Sequence, residues 1–311
     1  MNTKPSTGEL FESRIVCPDI ALKERFDSLV GLDDQKARLT KVLSILVNVN
    51  GLQSWAKKFH PSLGGLLRTI ARRPPLVVLA GDVGSGKTEL AETIGDAVAR
   101  QEGIDLSVLP LSLSTRGQGR VGEMTQLLSA AFDYAVSEAG KLKSASGKSR
   151  GGVILLVDEA DALAQSRENA QMHHEDRAGV NAFIRGIDRL ANGLLPAAVI
   201  MCTNRLGALD PAVKRRAAEI LVFQRPDDDQ RRRVLSRPLS ELGFSAQQIE
   251  HFVIATGRVQ GRNYGFTFSD LTQRLLPAIV LDAYPAGAVQ AVRALEVAAK
   301  ILPTPPFEEK R

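Results

Sequence analysis

The chain of 311 residues carries a formal net charge of +5, with 44% hydrophobic and 24% charged residues, the balance of a globular chain long enough for about two domains. No apolar run approaches the roughly 20 residues of a membrane span, and the polar start at 1–12 lacks the apolar core of a secretory signal. Two cysteines, Cys17 and Cys202, cannot build a disulfide framework, so a reducing, cytoplasmic location is expected. The pI near 9.3 raises nucleic acid as a partner, but the basic residues are dispersed and aromatics make up only 5% of the chain, too few for an obvious base-stacking platform.

In chain order, the first strong element is an apolar strand at 76–80 that leads into Gly81-Asp82-Val83-Gly84-Ser85-Gly86-Lys87-Thr88. This is a complete phosphate-binding loop in the context it requires, between a strand and a helix predicted over 86–100. Glycine lets backbone N–H groups wrap an anion, Lys87 reaches the β- and γ-phosphates of ATP, and Thr88 offers its hydroxyl to Mg²⁺. The helix directs its positive end at the same phosphates. The expected nucleotide-binding set is Asp82, Val83, Gly84, Ser85, Gly86, Lys87, Thr88 and Glu89.

A second strand is predicted at 107–113, and an apolar stripe of Val121, Met124, Leu127, Leu128, Ala131, Phe132 and Ala135 marks a helix after it. The segment 141–152, rich in Lys, Ser and Gly, reads as a loop. The run 153–157 then ends in Asp158-Glu159, a buried parallel strand delivering two carboxylates to its carboxyl end, where open α/β sheets gather their active groups. Asp158 is expected to hold Mg²⁺ and Glu159 to orient the attacking water. A helix carrying Val180, Phe183, Ile184, Ile187 and Leu190 follows, then strands at 198–203 and 219–223. This alternation predicts an α/β fold, a parallel five-stranded sheet sandwiched by helices. Beyond 225 only helices are predicted, at 228–242, 245–256, 269–284 and 286–300, with Ser245 and Gln248 as a capping box. His173 and His174 lack further ligands for a zinc set and read as a polar loop.

Upstream lies Val30-Gly31-Leu32-Asp33-Asp34-Gln35. Downstream lie Cys202-Thr203-Asn204 and Leu209-Asp210-Pro211-Ala212-Val213-Lys214-Arg215-Arg216. With the two nucleotide motifs, these resemble the AAA+ ATPases over nearly the whole chain. The resemblance implies a short N-terminal tail at 1–27, a large nucleotide-binding domain at 28–225 and a small α-helical lid domain at 226–311. It assigns Val30 and Gly31 to the adenine pocket, Asn204 to the sensor that positions the lytic water, and Arg216 to the arginine finger that reaches a neighbour's γ-phosphate. Catalysis then needs a homo-oligomer, in this family usually a hexamer. The segments 157–167, 177–190 and 274–277 are similar to the pachytene-checkpoint ATPases, also known as thyroid-receptor interactors, which remodel HORMA-domain proteins. Within them the chain looks closest to the bacterial members of CBASS antiphage operons.

That likeness implies an ATP-driven remodeller that pulls a segment of a HORMA protein through a ring pore and switches off a linked nucleotidyltransferase (CD-NTase). The pore segment 115–120 lacks the aromatic common among translocases, leaving Arg116, Gln118 or Arg120, or a second candidate loop at 168–175, as the expected grip. The family's second sensor arginine aligns near Leu271, with Arg274 as the substitute. Two other readings remain open at this point: a DNA-associated AAA+ ATPase of the initiator or clamp-loader type, and a nucleotide-gated assembly scaffold.

Overall fold

The computed structural model describes residues 10–113, 123–144, 148–164, 174–205, 207 and 209–307; Arg116, Gln118 and Arg120 lie outside the described residues. The chain forms two compact units. One comprises the chain up to Asp27, Asp34–Ala80 and Thr88–Val222; the other comprises Ser28–Asp33, Gly81–Lys87 and everything from Phe223 onward.

The elements up to the end of the sheet are β1 (Ile15–Cys17), α1 (Ile20–Ser28), α2 (Asp33–Val47), α3 (Val49–Phe59), α4 (Gly64–Ala71), β2 (Leu76–Gly81), α5 (Lys87–Glu102), β3 (Asp105–Ser112), α6 (Glu123–Leu142), β4 (Gly151–Asp158), α7 (Asp161–Ala164), α8 (His174–Gly193), β5 (Ala197–Thr203), α9 (Pro211–Lys214) and β6 (Ala217–Phe223). The strand order is β1-β3-β4-β5-β2-β6. β2, β3, β4 and β5 pair in parallel, and their apolar runs are buried on both faces: every residue of β5 is buried, as are the first seven of β4. Near-continuous apolar sequence is the signature of such doubly covered strands.

The sheet has six strands where the sequence predicts five, and one of them is antiparallel. β1 pairs with β3, Ile15 opposite Val108 and Cys17 opposite Leu106. Three residues are too few to show an alternation, so β1 owes its existence to pairing and to burial of Cys17, which is fully enclosed, rather than to local pattern. Burial, with Asp96 and Asp19 nearby, pushes the Cys17 thiol up to about 12, which leaves it an inert core residue. On one face of the sheet α6 and α8 pack together, the Phe132 and Phe183 rings meeting edge to face at 5.8 Å between centroids.

The second unit carries the helices predicted after 225: α10 (Asp228–Glu241), α11 (Ala246–Ala255), a π-helical turn (Asp270–Leu275), α12 (Leu276–Ala283) and α13 (Ala291–Lys300). Both α10 and α11 begin with capping boxes, Asp227 with Gln230 and Ser245 with Gln248, so two orphan amides are satisfied at each start. The core holds Leu235, Leu239, Phe252, Phe266, Leu271 and Ile279. The predicted helix at 269–284 opens as the π turn, where the Leu276 amide donates to the Leu271 carbonyl. Pro277 follows without an amide to continue the ladder, which suits a widened register at this place. α13 starts at Ala291 rather than 286; Gly287, in the expected first turn, is a poor helix former.

Candidate active site

Within the second unit, the phosphate loop is shaped by two glycines at which a side chain would be strained. A Cβ on Gly81 would overlap the Phe223 carbonyl oxygen, and Gly84, at φ +70°, would set one 2.7 Å from Thr267 Oγ1. The Ser269 amide donates to the Gly84 carbonyl at 3.1 Å. Asp82 bridges the loop to its surroundings: its carboxylate pairs with Arg225 Nε at 2.5 Å and accepts from the amides of Val83 and Phe307 at 2.9 and 3.3 Å. Lys87, 7% exposed, donates through Nζ to the carbonyls of Gly81 and Asp82 at 3.0 and 2.7 Å and lies 3.4 Å from Ser85 Oγ. A buried ammonium held by loop carbonyls, in a loop whose glycines admit close backbone approach, has the donor chemistry of a phosphate cradle.

Val30 and Gly31 belong to the same unit. The Gly31 carbonyl accepts from Gln230 Nε2 at 2.7 Å, so the segment expected at adenine is anchored to α10. Arg274, the expected substitute sensor, is committed to the buried Asp270 carboxylate at 2.8 Å.

Within the sheet unit, Thr88 stands exposed in the first turn of α5, a helix of 16 residues. Ala80 sits opposite Thr203 and Val157 opposite Met201, so the carboxyl ends of β2, β4 and β5 share one edge of the sheet. That edge collects Asp158, Glu159 and Asn204. Asp158 is half-buried and Glu159 exposed; Glu159 holds a left-handed backbone, φ 51°, with its amide donating to Asp158 Oδ1 at 2.8 Å. Left-handed geometry in a residue other than glycine costs about 1 kcal/mol or more and gathers at functional sites. Glu89 forms a two-pronged pair with Arg25, at 2.8 and 2.9 Å.

Asn204 is held by a residue that the motif reading passes over. Asp161 Oδ1 accepts from the Asn204 amide and from Thr203 Oγ1, both at 2.8 Å, while Oδ2 accepts from Asn204 Nδ2 at 3.3 Å. Its signal was present in the sequence, as the third acid of the run that starts at Asp158. Arg216 makes a two-pronged pair with Asp188 at 2.7 and 2.9 Å and donates to the Ala212 carbonyl at 3.2 Å. Hydrogen bonding to Asp188, partly offset by burial, raises the pKa of this guanidinium, fixing it as a cation. Arg215 beside it is exposed. Asp188 has no local sequence signal, since only the fold brings α8 to the end of α9.

Among the described residues, no group of three or more His, Cys, Asp or Glu side chains gathers to hold a metal, and no helix is long and apolar enough to cross a membrane.

The sequence pattern of the ATPase family associated with various cellular activities (AAA) matches residues 77–225. The chain is 65% identical over 311 residues to CD-NTase-associated protein 6 of Escherichia coli (strain MS 115-1), covering 100% of both proteins. A chain in the structure of the E. coli MS115-1 HORMA:CdnC:Trip13 complex superposes with a TM-score of 0.90 at 64% identity, covering 98% of this chain and 100% of that one. Rhizobiales Trip13 gives a TM-score of 0.74 at 56% identity, covering 96% and 100%.

Proposed function

Because the chain belongs to the AAA ATPases, as a full-length relative of CD-NTase-associated protein 6, we propose that it is an ATP-driven remodeller of a HORMA-domain protein and thereby shuts off a CBASS CD-NTase. The observation that carries this reading is the match, end to end, with a chain solved in a HORMA:CdnC:Trip13 complex. Lys87 would neutralise the β- and γ-phosphates of ATP, and the loop amides around Gly84 and Gly86 would cradle them. Thr88 and Asp158 supply two hard oxygens of the kind that hold Mg²⁺ together with water and phosphate oxygens. The metal, when bound, draws charge from the phosphates. Glu159 orients the attacking water and Asn204, steadied by Asp161, completes its placement.

Arg216 would serve the nucleotide of a neighbouring subunit in a ring, expected to be a hexamer, placing a fixed cation where negative charge grows in the transition state. Asp188 keeps the guanidinium plane aligned from the chain's own side. Within the second unit, the Ser269–Gly84 and Arg225–Asp82 bonds join the phosphate loop directly to the helical region. A change at the phosphates therefore reaches those helices without a long relay.

The test is disassembly. Purified protein with ATP should separate a HORMA protein from its CD-NTase and stop second-messenger synthesis. Glu159→Gln should bind ATP and trap the complex, with turnover reduced on the order of a hundredfold or more. A complex left intact by the wild-type protein and ATP would overturn the reading while leaving the ATPase itself standing.

A further inference from the structure

The cations of this chain are dispersed, but its acids are not. Between Gln35 and Gly81 there are eight Lys and Arg residues and no Asp or Glu, so this stretch alone outweighs the net +5 of the whole protein. Its centre is the pair of short helices α3 and α4, which touch one another. Lys57, Lys58 and Arg68 are exposed there. Beside them stand three large apolar side chains open to solvent: Trp55 at 46%, Phe59 at 57% and Leu66 at 55%. α4 buries none of its residues and α3 only Ala56. Two helices with so little buried surface contribute little to folding, which leaves their exposed apolar edge for another partner.

We propose that the α3–α4 pair is a docking surface for an acidic face of the client protein, with Trp55, Phe59 and Leu66 as apolar anchors inside a cationic rim. The proposal deepens the remodeller reading and rests on it: it names the surface that recruits the client. Charge complementarity selects the occupant. A second copy meeting this face with its own would set cations against cations, and a ring neighbour meeting it with a different face is separated by the assembly readout below. An amphipathic helix lying in a lipid surface turns its whole apolar stripe outward, whereas α3 directs Ala56 and part of Leu52 inward and leaves only an edge. Nucleic acid would use open ring faces for stacking. Here the Trp55 ring lies 5.0 Å from His60 and 6.3 Å from Phe59, centroid to centroid, and Lys58 Nζ lies 5.1 Å from the Phe59 centroid. Exposed aromatic anchors with cations on the same helix pair suit hot-spot recognition of an acidic protein face.

The experiment compares the full-length protein with two variants, Trp55→Ala/Phe59→Ala and Lys57→Glu/Lys58→Glu/Arg68→Glu. Circular dichroism, light scattering and basal ATP turnover check fold and assembly. The probe is the HORMA protein bound to its CD-NTase, with affinity read by titration at two salt concentrations. Expected are unchanged assembly and basal turnover, client binding weakened on the order of tenfold or more in both variants, and a shallower salt dependence in the charge-reversed one. Wild-type affinity in both variants, with the wild type remodelling the client, overturns the docking surface alone. Wild-type protein that binds through the helices but does not remodel overturns the function alone, and absence of binding overturns both. Loss of assembly in the variants makes the face a subunit contact. Variant-sensitive binding to phosphatidylglycerol vesicles or duplex DNA, without loss of client, assigns it to lipid or nucleic acid. Either result overturns the proposal.

Discussion

Asp161 touches neither end of the expected chemistry, yet three hydrogen bonds from Thr203 and Asn204 converge on it. Removing it would free the Asn204 amide side chain to rotate and leave the Thr203 hydroxyl without its acceptor. Asp161→Ala is expected to lower kcat about ten- to a hundredfold with little change in the affinity for ATP; steady-state turnover alongside nucleotide titration checks it, and an unchanged kcat would remove Asp161 from the site. The residue also marks where sequence reading runs out. The places of Lys87, Asp158 and Glu159, in a loop after one strand and at the end of another, were legible because each is fixed by its neighbours in the chain. Asp161 and Asp188 act on partners 42 and 28 residues away, and only the fold makes those pairs.

The starts of α10 and α11 were legible, whereas α13 begins five residues beyond its expected start and α1–α4 carried no expectation. The Ser245–Gln248 capping box was predicted from four residues and is present, because a cap is a local contest for a few amides. The π turn and β1 were not legible, since one depends on a widened hydrogen-bond register and the other on a pairing across the sheet. The π turn opens on Asp270, 1% exposed, which accepts from the Thr267 amide, the Thr304 amide and hydroxyl, and Arg274. Burial pushes this carboxyl up, but the hydrogen bonds together outweigh it and hold its pKa below the ordinary 3.8. A depressed carboxylate stabilises the folded state above its unfolded pKa, and that contribution is lost as pH falls through the folded value. Asp270→Asn should therefore melt earlier than wild type at pH 7, and the gap should close below about pH 4. Thermal unfolding followed from pH 7 to 2 checks it; a gap that stays constant would show that charge at Asp270 contributes nothing.

At the scale of the whole molecule, the expected site is divided between subunits. Lys87 and Arg216 then fail in complementary ways: Lys87→Ala removes the phosphate cradle of its own subunit, and Arg216→Ala removes the cation offered to the next. Mixing the two variants in equal parts should restore about a quarter of the interfaces, since each working one needs an intact Lys87 on one side and an intact Arg216 on the other. ATP turnover of the mixture checks this, and no recovery beyond either variant alone would place the whole site in one chain. The fold also closes a hazard that a parallel sheet carries. β3 would present a row of unpaired amides and carbonyls at the sheet margin; β1 pairs with its residues 106–108 and the Glu12 amide donates to the Pro110 carbonyl, so the outermost strand is only three residues long. Strands left open in this way template chain-to-chain pairing. The short strand that enters the sheet first thus serves as a guard against aggregation, and trimming the chain past Cys17 would trade a three-residue edge for the eight residues of β3.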